Sequence, residues 1–150
     1  MILPDFKAFP RTGRIVGIDW GASRTGVAVS DATREFTFVR PPILARRAGP
    51  TIAQQIADAA RVENAVGIII GLPHHGDGTE SETSKMVRAC ANELTGYIDL
   101  PICFVDESYS SVAAQSDMGR VRRGDIKTKL DSESARVILE NAIAIISRIK

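Results

Sequence analysis

Short apolar runs dominate the first third of the chain and have the lengths of β-strands. Residues 15–18 and 27–29 flank a glycine-containing turn, and residues 36–40 form a third, alternating run that stops before two prolines. Runs of this kind, rich in β-branched residues and separated by turn residues, are typical of antiparallel strands. The pattern predicts a three-stranded meander that ends at Pro41 and Pro42.

The rest of the chain alternates helical and strand patterns. We predict, in order, a helix over 51–64, a strand over 66–70, a helix from a capping box at Thr79 and Glu82 to about Gly96, a strand over 101–105, a short helix ending at Met118, and a last helix from Asp131 to about Ile149. A meander followed by such βα units predicts an α/β fold, with a central five-stranded mixed sheet flanked by helices on both faces.

Length and composition fit one globular domain over residues 1–150. Of the 150 residues, 44% are hydrophobic and 25% are charged, and no apolar run approaches the roughly 20 residues of a membrane-spanning helix. Residues 1–12 mix charged residues and prolines with two phenylalanines and lack the continuous apolar core of a signal peptide, and we expect them to form a loosely held N-terminal arm. Cys90 and Cys103 lie in apolar surroundings, so we expect buried thiols and a reducing cytoplasm rather than a disulfide or metal site.

Positive charge is concentrated in residues 119–129. The net charge of the chain is only +1, so total charge says nothing about nucleic acid, but this segment contains only one acid, Asp125. Its cations are Arg120, Arg122, Arg123, Lys127 and Lys129. Because the segment has two glycines and little periodicity, we interpret it as a mobile basic loop. Such a loop is either merely solvated or in contact with phosphates.

Three carboxylates are predicted at the ends of elements. Asp19 closes the first strand, Glu107 follows the last strand beside Asp106, and Asp131 begins the last helix. Ligands of open α/β sheets gather at the carboxyl edge of the strands, where these acids can converge. Clustered carboxylates repel one another, and a divalent cation such as Mg²⁺ or Mn²⁺ removes that cost and suits phosphodiester hydrolysis.

Each of these acids also has a purely structural explanation. Asp19 can be a turn residue that bonds its own backbone, Asp131 is a good helix N-cap, and Asp106 and Glu107 can be surface acids. Neighbouring residues of an extended segment point to opposite faces, so we expect only one of Asp106 and Glu107 to face a shared site.

The hairpin also allows an ATPase interpretation. Asp19, Gly21 and Gly26 form an Asp-x-Gly-x-x-x-x-Gly pattern, which resembles the phosphate hairpin of actin-like ATPases and sugar kinases. Those proteins clamp ATP between two such domains, whereas this chain has the length of one and no second hairpin of the kind. A P-loop is also absent, so we do not favour this interpretation.

Four motifs, in order, resemble one family. They are Ile18-Asp-Trp-Gly with Arg24-Thr-Gly-Val-Ala-Val-Ser-Asp31, Ile70-Gly-Leu-Pro with Asp77-Gly-Thr-Glu80, Val105-Asp-Glu-Ser-Tyr-Ser-Ser111, and Lys129-Leu-Asp-Ser-Glu-Ser-Ala135. Together they are similar to the YqgF family of RNase H-like proteins, which are related to Holliday junction resolvases and described as pre-16S rRNA nucleases. The resemblance implies an RNase H-like fold and catalytic, metal-binding roles for Asp19, Glu107 and Asp131. It also implies maturation of the 5′ end of 16S rRNA in the cytoplasm.

The activity we expect is that of an endonuclease dependent on Mg²⁺ or Mn²⁺, which cuts structured RNA such as pre-16S rRNA and leaves 5′-phosphate and 3′-hydroxyl ends. Arg24 and the cations of residues 119–129 are the expected nucleic-acid contacts. Ser108 stands where the family usually has Arg, and His74 and His75 replace its usual Leu-Asn.

These departures keep open a non-catalytic RNA-binding ribosome-assembly factor. A resolvase of branched DNA is a third interpretation and predicts a dimer. Ribosomal precursor particles are the expected partners, and a monomer or weak homodimer is the expected state.

Overall fold

Five strands and three helices make up the part of the chain that the structure, a computed structural model, describes. It covers residues 1–73, 82–106 and 123–149, with the backbone alone for residues 123–132. The strands are β1 (Ile15–Asp19), β2 (Arg24–Ser30), β3 (Thr37–Leu44), β4 (Gly67–Leu72) and β5 (Ile102–Asp106). The helices are α1 (Ile52–Val62), α2 (Glu82–Leu94) and α3 (Arg123–Arg148). None of these described helices is long and apolar enough to cross a membrane.

The strands form one sheet in the order β3-β2-β1-β4-β5. β1 pairs antiparallel with β2, with Asp19 opposite Gly26, and β2 pairs antiparallel with β3. β4 is parallel to both β1 and β5. The predicted meander, the parallel strands that follow it and the five-stranded mixed sheet are therefore confirmed, and β1 is the central strand.

The prediction that Pro41 and Pro42 end the third strand is wrong. β3 continues through both prolines to Leu44, and its register with β2 shifts between Thr25 and Val27. Proline lacks the N–H that a central strand needs, but it is tolerated on an edge strand or at a bulge. Because β3 lies at the edge of the sheet beside such an irregularity, the prolines do not interrupt it.

Helices cover both faces of the sheet because the side chains of each strand alternate between the faces. On one face, Ile18 and Ile70 pack in a core with buried residues of α1 and α2. On the opposite face, Ile15 and Ile69 pack with buried residues of α3. These two surfaces are called the α1/α2 face and the α3 face below.

The last helix begins earlier than the sequence predicts. α3 starts at Arg123, so the prediction that Asp131 opens this helix as its N-cap is wrong. Residues 123–129 are helical and are not part of a basic loop, whereas residues 119–122 lie outside the described residues. The apolar pattern of the sequence did not predict this earlier start. Ile126 and Leu130 are the only large apolar residues between 123 and 130, which is too few to indicate a helix.

Residues 1–12 pack against the sheet and do not form a loose arm. Ile2 bridges to Ile102 of β5, and the Leu3 N–H donates to the Ile102 carbonyl oxygen over 2.8 Å. Phe6 and Phe9 are buried in the core of the α3 face, with ring centroids 5.9 Å apart. The prediction from mixed composition was wrong because these contacts depend on tertiary packing.

Both cysteines are free thiols. Cys103 is buried and Cys90 is half-buried, and desolvation raises the pKa of each thiol to about 11. They behave as the buried thiols that the sequence predicts. Thr79 of the predicted capping box, His74, His75 and the short helix predicted to end at Met118 lie outside the described residues.

Replacing Phe9 with Ala tests whether the first residues belong to the core. Phe9 is only 2% exposed, so the change is expected to lower the free energy of unfolding by about 3–5 kcal/mol. Phe36→Ala is the matched control, because Phe36 is 62% exposed and its loss is expected to cost about 0.5 kcal/mol or less. Urea unfolding measures both. Similar small losses in the two variants would contradict the packed arrangement.

Candidate active site

A tight turn joins β1 to β2 directly behind Asp19. The buried Thr25 hydroxyl accepts a hydrogen bond from the Gly21 N–H and donates one to the Gly21 carbonyl oxygen, each over 3.3 Å. A Cβ on Gly21 would collide with the Arg24 carbonyl oxygen, so only glycine fits without moving the turn. The end of β1 is thus held in one closed turn.

Asp19 and Trp20 lie on opposite faces of the sheet. Along β1, Ile15 packs on the α3 face and Ile18 on the α1/α2 face, and alternation puts Asp19 on the α3 face. Trp20 packs against the core of the α1/α2 face. Both residues are half-buried, and Asp19 interacts with a neighbouring group rather than standing as an isolated charge.

β1 and α3 contact each other closely. A Cβ on Gly17 would lie 2.7 Å from the Leu139 Cβ and 3.0 Å from the Ala135 carbonyl oxygen, so the helix contacts the bare strand backbone. Near the end of the helix, the Arg11 guanidinium donates to the Ile149 carbonyl oxygen. α3 also contacts the other four strands, so it crosses the sheet and meets the central strand at Gly17.

Asp131 belongs to the same helix and precedes the residues that contact Gly17. Asp19 is two residues beyond Gly17 in β1, and Asp131 is four residues before Ala135 in α3. The convergence of the Asp19 and Asp131 carboxylates stays a prediction. The Asp131 side chain is not among those described.

The acids after the last strand are divided between described and undescribed residues. Asp106 ends β5 and is exposed, and its position in the alternation is shared with Ile102 and Phe104, which pack on the α1/α2 face. Alternation thus assigns Asp106 to the face opposite to Asp19, and at the end of this edge strand it also lines a cavity with Asn141 and Arg148 of α3. Glu107 lies outside the described residues.

The predicted cations are likewise only partly described. Arg24 opens β2 at the same edge of the sheet as Asp19, and it is half-buried and engaged by a neighbouring group. Of the cations in residues 119–129, Arg120 and Arg122 lie outside the described residues. The other three are in the first turns of α3, where only the backbone is described.

The acids predicted for the site would offer only oxygen donors, which suit Mg²⁺ or Mn²⁺. Among the side chains that the structure describes, no three His, Cys, Asp or Glu residues come together. Asp19 is the only member of the predicted set within that part of the chain, so the cluster stays a prediction.

A groove of about 300 Å³ opens beside Trp20 on the α1/α2 face. Besides Trp20, its lining consists of Ile52, Ala53, Met86, Ala89, Cys90 and Glu93. From the sequence, Trp20 was recognised only as one residue of the first motif. An aromatic residue placed directly after an acid at a strand end is the signal that could have singled it out.

Solved structures share this fold. Thermus thermophilus RuvC in complex with a Holliday junction substrate has a TM-score of 0.51 at 12% identity, covering 91% of this chain and 98% of that chain. The yeast mitochondrial Holliday junction resolvase has a TM-score of 0.52 at 8% identity, covering 93% and 80%. At these identities the likeness concerns the fold alone. The chain has the RNase H-like fold of the RuvC-like resolvases.

Sequence relatives define the family. A family model described as RuvX, Holliday junction resolvase, matches residues 13–144. A Maridesulfovibrio salexigens protein named "Putative pre-16S rRNA nuclease" is 35% identical over 133 residues, covering 87% of this chain and 98% of that protein. A Paracoccus denitrificans protein of the same name is 36% identical over 143 residues, covering 91% and 87%. The chain belongs to the RuvX family, which confirms the resemblance drawn from its motifs.

Replacing Gly21 with Ala tests the tightness of the turn behind Asp19. The added Cβ would collide with the Arg24 carbonyl oxygen, so we expect a loss of about 1–3 kcal/mol in the free energy of unfolding. Ala22→Ser alters the exposed neighbouring residue and is expected to change stability by about 0.5 kcal/mol or less. Urea denaturation measures both variants. A Gly21→Ala protein as stable as the parent would show that the turn accommodates a Cβ at position 21.

Proposed function

We propose that this protein is a divalent-cation-dependent endonuclease that processes the 5′ end of pre-16S rRNA in the cytoplasm. Relatives that carry the pre-16S rRNA nuclease name match nearly the whole chain at 35% and 36% identity. The observation on this chain that carries the proposal is that Asp19 ends the central strand, at the carboxyl edge of the sheet where α/β folds bind ligands. The helix that contains Asp131 contacts the same strand at Gly17, which supports a role for both acids.

Asp19, Glu107 and Asp131 would hold the cation in this proposal. In the sequence, Glu107 is two residues beyond Val105, which packs on the α3 face, so an extended continuation of β5 would put Glu107 on the same side as Asp19. Carboxylates gathered at one edge need a counter-charge, so the donor set fits a hard divalent ion. When bound, Mg²⁺ or Mn²⁺ would supply positive charge beside the reacting phosphate and lower the pKa of a coordinated water.

The residues of the chain would bind and orient the RNA around these acids. Asp19 belongs to the central strand and to a closed turn, and a carboxylate on such rigid elements keeps its direction when substrate binds. Arg24 and the cations of residues 119–129 would contact phosphates, which position a nucleic acid without reading its sequence. Hydrolysis breaks the bond between phosphorus and the 3′ oxygen, leaving a 5′-phosphate and a 3′-hydroxyl.

Asp19→Asn is the first test of this function. The change keeps the size of the side chain and removes its charge, so we expect cleavage of a pre-16S rRNA 5′ leader with Mn²⁺ to fall by on the order of 100-fold or more. Asp58→Asn is the matched control, because the Asp58 side chain on α1 is 68% exposed and its activity should equal that of the parent. Product ends and rates are read on sequencing gels.

Other outcomes of this assay separate the alternatives. Equal residual cleavage by the parent and Asp19→Asn would place the activity elsewhere or in a contaminant. Tight RNA binding without turnover, and with weak, non-saturating Mn²⁺ binding, would indicate a non-catalytic assembly factor. A four-way DNA junction assayed in parallel tests the resolvase, which would cut that junction symmetrically as a dimer and leave the RNA leader intact.

Replacing Arg122 and Arg123 together with Ala tests the basic segment. Each lost phosphate contact on single-stranded RNA should reduce the slope of log affinity against log salt by about 0.7, or by about 1.4 for the pair. Lys7 and Arg61 are exposed, and changing both to Ala removes the same charge near the opposite edge of the sheet, so their slope should match that of the parent. Filter binding at several salt concentrations gives these slopes. An unchanged slope for the Arg122 and Arg123 variant would refute the contact.

A further inference from the structure

Two side chains, Thr25 and Trp20, hold the turn after β1 in place. Thr25 closes the turn internally through its two hydrogen bonds to the Gly21 backbone. Trp20 attaches the same turn to the helices, because its side chain packs against the core of the α1/α2 face and lines the groove together with residues of α1 and α2.

The attachment of Trp20 affects Asp19 because the two residues are adjacent in the chain. Trp20 is bonded directly to Asp19, so the backbone between them cannot turn without moving an indole that is packed in the groove. The indole lies on the α1/α2 face, whereas Asp19 lies on the α3 face. Trp20 therefore acts on the Asp19 carboxylate only through the backbone.

We propose that Trp20 is a positioning residue for Asp19. Its indole, seated in the groove between α1 and α2, holds the turn after β1 to α2 and thereby sets the direction in which Asp19 presents its carboxylate. The inference rests on the proposed nuclease role of Asp19. Trp20 is not a catalytic residue in this account, because it packs on the face of the sheet opposite to the Asp19 carboxylate.

An ordinary packing role makes a different prediction. If Trp20 only fills the core, its loss lowers global stability in the way that the loss of any aromatic residue from the same core does. Phe104 on β5 is half-buried and packs against the same core, so Phe104→Ala provides this comparison. If Trp20 anchors the turn, its loss opens the turn locally, and the Gly21 amide bonded to Thr25 is the group that reports the opening.

Hydrogen exchange of the Gly21 amide decides between the two roles. We expect Trp20→Ala to speed this exchange by about tenfold or more relative to Phe104→Ala, with both variants folded by circular dichroism. Trp20→Phe keeps an aromatic ring in the groove and should restore most of the protection. Equal Gly21 exchange in Trp20→Ala and Phe104→Ala would overturn the anchoring role, whatever the function of Asp19.

Mn²⁺ titration then connects the anchor to the carboxylate. In calorimetry, Trp20→Ala should bind Mn²⁺ about tenfold more weakly than the parent. Met86→Ala, which trims the exposed side of the same groove, should bind as the parent does. Parent-like affinity in Trp20→Ala, beside loss of binding in Asp19→Asn, would overturn positioning. Mn²⁺ binding that does not depend on Asp19 would count against the proposed function instead, and the exchange result would still decide the anchor.

Discussion

The rest of the structure depends on the missing side chain of Gly17. A Cβ there would lie 2.7 Å from the Leu139 Cβ, so α3 can approach the central strand only because that position is bare. Closely packed interiors do not accommodate an added methyl group without a shift. This contact sets how closely α3 lies against β1, on the face to which alternation assigns Asp19. A feature of packing, two residues away from the acid, thus controls how near the last helix comes to the candidate site.

The two faces of the central strand carry residues with different roles. Asp19 is on the face that α3 covers, and Trp20 is on the face that α1 and α2 cover. The alternation of side chains along a strand makes this division automatic, since neighbours must point in opposite directions. A site at the end of such a strand can therefore be held from behind by apolar packing while its polar side stays open. In a helix, Asp19 and Trp20 would not be separated across a packed layer in this way.

Much of this arrangement could be predicted from the chain alone. Apolar runs located the strands, and the acids at their ends indicated the edge where a site would form. The course of β3 past Pro41 and Pro42 could not be predicted, because proline is tolerated there only by virtue of the edge position, a property of the whole sheet. The packing of Phe9 against the sheet and the early start of α3 depend on tertiary contacts for the same reason. Local sequence patterns predict the conformation poorly where tertiary packing determines it.

The structure of the turn after β1 bears on the explanation that Asp19 is simply a turn residue. Aspartate is common in turns because its carboxylate can bond the nearby backbone and so close the turn. Here the Thr25 hydroxyl makes two hydrogen bonds to Gly21. Gly21 supplies the close approach to Arg24 that the turn requires. The turn is therefore held by residues other than the acid, at a position where strand propensity is unfavourable to aspartate. Alternation puts Asp19 on the face covered by α3, the helix that contains Asp131, and this is the side on which the proposed cation site requires it.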